Sequence, residues 1–386
     1  MNAEKKIYFP GLHGLRFIAA AIVIVSHVEE LKSLFGVRSG EEGALQTYTL
    51  LGDLAVTFFF VLSGFLITFL LLQERKMTET ISLKKFYTRR VLRIFPLYYL
   101  IVISGFFLLP HFEGLYIPEW TDKMHDNFWP KAILYLTFFS NLAAVTIHPI
   151  PYVAPTWSIG VEEQFYLVWP VLMKYCKNTL RVLGTVILFY LIAAKGTTLL
   201  VDHHILIGRM YEVMAEFLFL TRVDCMAIGG VAAYLFFVQS NRLLDIIYNR
   251  FFQVVLYAMV IALSITGTTF GLFTHEIYAL LFACIILNVG ANKNTLITFE
   301  NAALRFAGNI SYGIYMYHLL CIRISLNLVW KWFDTDQPFG IAANVLLYAA
   351  SILLNILLAS GSYYAFELYF LKLKKRATVV PSGLTV

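Results

Sequence analysis

The feature that most limits what this chain can fold into is its near-continuous succession of long apolar runs, separated only by short polar connectors. A helix needs about 20 mostly apolar residues to cross a hydrocarbon core of about 30 Å, and inside a bilayer only helices and closed barrels satisfy their own backbone. The runs lie near Phe9–Glu29, Thr47–Leu72, Ile94–Leu109, Trp157–Tyr175, Val182–Val201, Phe217–Val238, Phe251–Phe270, Ile277–Val289, Phe306–Trp330 and Ile341–Phe370. An all-α polytopic membrane protein of about ten transmembrane helices is therefore expected. Composition agrees: 59% of the 386 residues are hydrophobic and 14% charged, against about 25% charged in soluble domains. A soluble globular enzyme is excluded.

Lys and Arg gather in the N-terminal segment, in the loops after the even-numbered spans and in the tail. Basic loops stay cytoplasmic, so both termini are expected there. The stretch Ala132–Ile147 breaks the alternation, because counting it as a span would place Lys174, Lys177 and Arg181 outside. It reads as a re-entrant or interfacial segment, its Asn141 and the proline-rich stretch His148–Pro155 belonging to irregular backbone that needs protein or a water-filled cavity around it. The run after Lys5 and Lys6 contains Arg16 and His27 and meets no small-residue cleavage site, so it reads as a retained helix. Cys176, Cys225, Cys284 and Cys321 are widely spaced in apolar surroundings and form neither a metal-type pair nor a disulfide framework. Residues 1–371 read as one integral membrane domain and 372–386 as a basic cytoplasmic tail.

Charge inside a bilayer costs at least a few kcal/mol, so intramembrane ionisable groups are the default functional candidates. Arg16 and His27 lie 11 residues apart, close to three turns, and so share a helix face about 16 Å apart along the axis. Asp53 precedes the string Phe58–Phe65, in which Ser63 and Gly64 suit close helix packing. Arg90 and Arg93 face the same way at the basic mouth of the third span, where two guanidinium forks suit a phosphate or diphosphate; anionic lipid heads are the other reading. Glu162 and Glu163 enter an apolar helix at a depth expected to match His27, with Trp157 just ahead of them. Arg222 and Asp224 are two residues apart and need separate partners. Tyr312, Tyr315, Tyr317 and His318 line one stretch of the ninth span, and Glu367 is placed to neutralise a basic residue. These groups trace a path from a basic cytoplasmic mouth to a reactive outer end.

In this order the strings resemble the acyltransferase 3 family of membrane-bound O-acyltransferases. Arg16 to His27 is similar to its Arg-x10-His motif, Phe58–Phe65 to FFxLSGF, Arg90–Pro96 to RxxRIxP, Trp157–Tyr166 to WSLxxEQFY, Arg222–Asp224 to RxD and Ser311–His318 to SYxxYLxH. The resemblance covers most of the chain in a single-domain form, with no hydrolase-like domain expected after residue 370. It implies a ten-helix fold in the bacterial plasma membrane. It also implies a cytoplasmic acyl-CoA donor, most simply acetyl-CoA, with no permanently bound cofactor or metal and no nucleic acid, and an extracytoplasmic sugar or glycoconjugate as acceptor.

On this reading Arg90, Arg93 and Arg16 hold the donor, and neutral His27 takes the acceptor's hydroxyl proton with Glu162 steadying the imidazolium. Asp53, Glu163, Arg222, Asp224, Trp157, Tyr312 and His318 shape the acceptor site. An acyl-tyrosine relay is a second route. A glycolipid or polysaccharide-precursor transporter is the alternative class, expected to show an internal repeat or paired broken helices, which the sequence does not display; a non-catalytic scaffold would not need so many intramembrane charges.

Overall fold

The computed structural model describes residues 7–37, 44–333, 339–374 and 377–380. The first lysines and most of the basic tail lie outside these residues. Those described form helices and turns, with no strand element among them.

Helix α1 (Leu12–Leu34) starts where Gly11 adopts φ 75° and donates its N–H to the Glu300 carboxylate at 2.7 Å, which satisfies one of the orphan donors of a helix start. Helix α2 (Ala44–Thr78) is the centre of the bundle: 83% of its most apolar window is buried. It packs closely against α9 (Val223–Phe237) because both helices present glycine at the crossing. A Cβ on Gly64 would sit 1.9 Å from the Met226 carbonyl oxygen, and one on Gly229 equally close to that of Val61. Peripheral α7 (Thr179–Asp202) and α15 (Ile341–Ser362) instead turn rows of Leu, Ile, Phe and Val outward, as lipid-facing helices do.

Each of the ten apolar runs is helical, but several contain breaks that hydropathy does not reveal. The sixth is divided at Arg222, whose φ of 44° separates α8 (Arg209–Thr221) from α9. The seventh is preceded by a 63° bend between α10 (Asn241–Tyr248) and α11 (Arg250–Ile265), where the Asn249 side chain accepts from Phe251 N–H and caps α11. In the ninth, α13 (Ala302–Asn309) precedes α14 (Ser311–Trp332). The tenth passes through a π-helical turn, Tyr363–Glu367, into α16 (Leu368–Lys374). Broken spans, expected to be absent, are thus present.

Among the described residues seven helices are long and apolar enough to cross a membrane, or eight when the bent α10–α11 pair is counted as one. Helices α6 (Trp157–Tyr175) and α14 are long enough but carry Glu162, Glu163 and Lys174, or the Tyr–His run and Arg323, in place of lipid-like side chains. The stretch Ala132–Ile147 is two short helices, α4 (Phe128–Leu136) and α5 (Ser140–Thr146), broken at Phe138 with φ 61°. Neither is long enough to span. Gln164 on α6 accounts for the broken backbone: its Nε2 donates to the Phe138 carbonyl at 2.9 Å and to Asn141 Oδ1 at 2.8 Å, while Asn141 Nδ2 donates back at 3.1 Å. Gly160 permits the approach, since a Cβ there would lie 2.8 Å from the Phe138 oxygen.

Candidate active site

Helices α1, α2, α3 (Leu83–Phe107), α6 and α14 enclose a cleft with about 790 Å³ of empty space. Its polar lining is Arg16, Ser63, Arg90, Arg93, Ser158, Glu162, Tyr166, Ser311, Tyr312 and Tyr315, and its walls are Phe, Leu, Ile and Val. The three arginines expected to hold a donor therefore share one cavity. Spacing explains this: Arg90 and Arg93 are one turn apart on α3, and Arg16 sits in the second turn of α1. Arg90 stacks 5.0 Å over the Tyr166 ring and 5.4 Å over Phe86, yet its Nε has no hydrogen-bond partner among the described residues. Arg93 stacks 5.4 Å over Tyr312 and pairs with Glu367 at 3.8 Å, too long for a hydrogen bond, and both of its Nη atoms are buried and unbonded. Glu367 thus does what the sequence suggests, carried inward by the π-helical turn.

Glu162 belongs to this basic end. Ser63 Oγ donates to its Oε1 at 2.5 Å, and Arg16 and Arg90 are its charged neighbours. His27 does not line the cleft and has other company. Its Nδ1 lies 2.9 Å from the Val23 carbonyl, its Nε2 is 3.7 Å from Glu30, and its ring meets His318 edge-on at 4.7 Å. The expected pairing of Glu162 with His27 is therefore corrected. Glu162 and Arg16 line the same cleft, and His27 does not. Glu163 faces Arg90 and Tyr312, with Oε1 buried and unbonded. The Tyr312 hydroxyl donates to the Ile94 carbonyl at 3.0 Å.

Between cleft and His27 stand two rings. Tyr315 closes the cleft, its hydroxyl bonded to Ser158 at 2.7 Å and the Pro155 carbonyl at 3.0 Å, and His318 follows 5.6 Å away. The His318 Nδ1 lies 2.5 Å from the Tyr315 carbonyl. A carbonyl oxygen only accepts, so Nδ1 carries a proton on both imidazoles, and Nε2 is the nitrogen that has a lone pair in the neutral form. That of His318 is buried and unbonded.

Asp53, Arg222, Trp157 and Asp224 form a separate polar group. Arg222 Nη2 pairs with Asp53 at 3.6 Å, Nη1 donates to Thr57 at 3.2 Å, and the guanidinium lies 5.9 Å over Trp157. Asp224 turns the other way, accepting the Cys225 N–H at 3.0 Å beside Glu276, which pairs with Lys195 at 2.6 Å. The single polar path expected from the sequence is thus two clusters, and the Tyr315 and His318 rings stand between the arginine cleft and His27. Lys195, His275, Glu276 and Glu30 were not singled out. Glu30, at i+3 from His27, was open to a spacing argument; His275 and Glu276 fell outside an apolar run placed to start at Ile277, whereas α12 (Thr274–Ala291) begins three residues earlier.

The chain is 27% identical over 349 residues to the peptidoglycan O-acetyltransferase OatA of Listeria monocytogenes, covering 82% of this chain and 50% of that protein. It is 26% identical over 377 residues to the O-acetyltransferase OatA of Staphylococcus aureus, covering 93% and 57% respectively. The chain therefore spans about half the length of the curated relatives it matches. No solved structure is detectably similar. The sequence model of the acyltransferase 3 family, an acyltransferase domain, matches residues 9–364, and the chain belongs to that family.

Proposed function

We propose that the protein is a multi-pass O-acyltransferase of the bacterial plasma membrane, with ten spans and both termini cytoplasmic. It moves an acetyl group from cytoplasmic acetyl-CoA to a hydroxyl of a carbohydrate on the outer side. The carrying observation is the arginine cleft: Arg90 Nε and both Nη atoms of Arg93 are buried without hydrogen-bond partners among the described residues. Each such orphan costs on the order of 1–3 kcal/mol, and phosphate oxygens are the acceptors that best fit guanidinium forks. A diphosphate-bearing thioester on a thin arm matches a cleft that is cationic at one end and walled by aromatic and aliphatic side chains beyond.

His27 then acts as the general base. With Nδ1–H committed to the Val23 carbonyl, Nε2 takes the proton as the acceptor oxygen attacks the thioester carbon. The C–S bond breaks, and the imidazolium returns its proton to the thiolate, releasing CoA. Glu30 stands in the place assigned to Glu162, with its carboxylate near the imidazolium. Glu162 instead balances the cations at the donor end. Reacting atoms must approach to about 3–3.5 Å, so Tyr315 and His318 swing aside as the arm passes. Asp53, Trp157, Arg222 and Asp224 supply hydrogen bonds and an aromatic face suited to a sugar. One relative is named a peptidoglycan O-acetyltransferase, which makes a peptidoglycan sugar the first acceptor to test. Of the three relay tyrosines, Tyr315 is the one at the closed end of the cleft.

The test is a purified-protein assay for thiol release from acetyl-CoA, coupled to mass spectrometry of the acceptor. A 42-dalton gain, the mass of one acetyl group less a proton (about 42), is expected only with acceptor present. CoA release without an acetylated sugar contradicts the reading.

A further inference from the structure

One buried hydroxyl ties the cluster around Arg222 together. Thr57, a turn after Asp53 on α2, is fully buried, and its Oγ1 donates to the Asp53 carbonyl at 3.0 Å. A hydroxyl has one hydrogen and two acceptor sites. With that hydrogen placed, Oγ1 accepts from its other two neighbours, Arg222 Nη1 at 3.2 Å and His275 Nδ1 at 3.0 Å. His275, buried in the first turn of α12, therefore carries a proton on Nδ1. Its ring meets Phe219 edge-on at 5.4 Å, and the same Phe219 ring lies 5.6 Å from the Arg222 guanidinium.

Arg222 stands at φ 44°, a backbone conformation that costs a non-glycine residue energy and persists only where the surroundings over-determine it. Here the carbonyls of Phe219 and Asp53 and the Thr57 hydroxyl take up Nε and Nη1. Nη2 is left over: it lies 3.6 Å from Asp53 Oδ1, too long for a hydrogen bond, and makes none among the described residues. The Asp53 side chain is 41% exposed. A donor anchored from behind thus stands beside an accessible acceptor, an arrangement that suits two adjacent hydroxyls of a sugar, one accepting from Nη2 and the other donating to Asp53. Resting on the acceptor reading above, we infer that Thr57 and His275 are positioning residues for acceptor binding. They hold the Arg222 guanidinium so that Nη2 and Asp53 grip the sugar together, and His275 acts through Thr57.

The experiment measures acetyl transfer by the full chain in neutral detergent, varying acetyl-CoA and a soluble peptidoglycan fragment separately. Thr57→Val, which removes the hydroxyl and nearly keeps the shape, and His275→Ala should each raise KM for the fragment about three- to tenfold, the worth of a hydrogen bond. KM for acetyl-CoA should not change. His275→Asn, whose amide can stand in for Nδ1–H, should recover most of the loss. Because His275 acts through Thr57, the double variant Thr57→Val/His275→Ala should be no worse than the poorer single one. An unchanged KM for the fragment in Thr57→Val, additive losses in the double variant, or an equal rise in both KM values overturns the inference. Should His275→Ala fail to fold, Thr57→Val and His275→Asn decide it on the same readings. Wild type that releases CoA without acetylating the fragment removes the acceptor reading and this inference with it, an outcome distinct from an active wild type with unaffected variants.

Discussion

Replacing Arg93 by alanine separates ligand binding from architecture. The guanidinium is 5% exposed, lies 3.8 Å from Glu367 Oε2 and makes no hydrogen bond through either Nη. It therefore contributes little to the unliganded fold through hydrogen bonding, whereas a bound phosphate gains at least one charge-assisted bond of about 1.5–3 kcal/mol. Its loss should raise KM for acetyl-CoA about 10- to 100-fold with kcat little changed, read by thiol release. Arg93→Lys, a point charge in place of a planar fork, should fall between. The substitution also leaves Glu367 buried, with only the Ser362 hydroxyl at 3.4 Å, so Tm should drop as for any uncompensated buried charge. Adding Glu367→Gln should recover Tm and leave KM high. An unchanged KM in Arg93→Ala, or a KM that recovers together with Tm in the double variant, refutes the assignment of Arg93 to the donor.

Three further outcomes follow from other parts of the molecule. His27→Ala should lower kcat by about 10²- to 10⁴-fold with KM for acetyl-CoA retained, and Glu30→Gln should lower it less; full activity in His27→Ala refutes its role as base. Gly64→Ala puts a methyl group 1.9 Å from the Met226 carbonyl and should lower Tm in detergent, whereas Gly184→Ala, with no atom within 4 Å of its Cβ, should not. At the start of α1, burial pushes the Glu300 carboxyl up, but hydrogen bonds from Tyr8, Gly11 N–H and Arg305 outweigh it and hold it below its ordinary value. Its stabilising contribution is then complete above the ordinary carboxylate range and lost as pH falls through the lowered one. Glu300→Gln should flatten that limb of a Tm-versus-pH curve.

Much of the fold was legible because lipid imposes a simple rule, and all ten apolar runs are helical. What hydropathy could not show was where helices break. The Arg222 left-handed residue, the Asn249 cap and the π-helical turn before Glu367 arise from individual side chains and tertiary packing, not from mean polarity. The stretch Ala132–Ile147 is not one spanning helix, as charge alternation suggested, and the Gln164–Asn141 pair holds its broken backbone. In the site, Arg90 and Arg93 share a face because they stand one turn apart on α3, whereas Arg16 reaches the same cleft from α1 through packing that spacing does not fix. Glu162 was misplaced because its neighbours were inferred from position along the span, whereas packing sets it against Ser63, Arg16 and Arg90. Two residues that complete the second cluster, Lys195 and Glu276, sit on helices with no motif to mark them, and only packing brings them to Asp224.

The central claim is that an acetyl group crosses from an arginine-lined donor cleft on the basic face to a hydroxyl at His27 on the other. Sealed vesicles of known orientation, given membrane-impermeant radiolabelled acetyl-CoA on one side and a carbohydrate acceptor on the other, test it directly. Acetyl ester should form on the acceptor only when the donor is on the side bearing the Gln73–Arg93 loop, and His27→Ala should abolish it. Label that appears only when donor and acceptor share a side, or that forms equally from either side, contradicts the account.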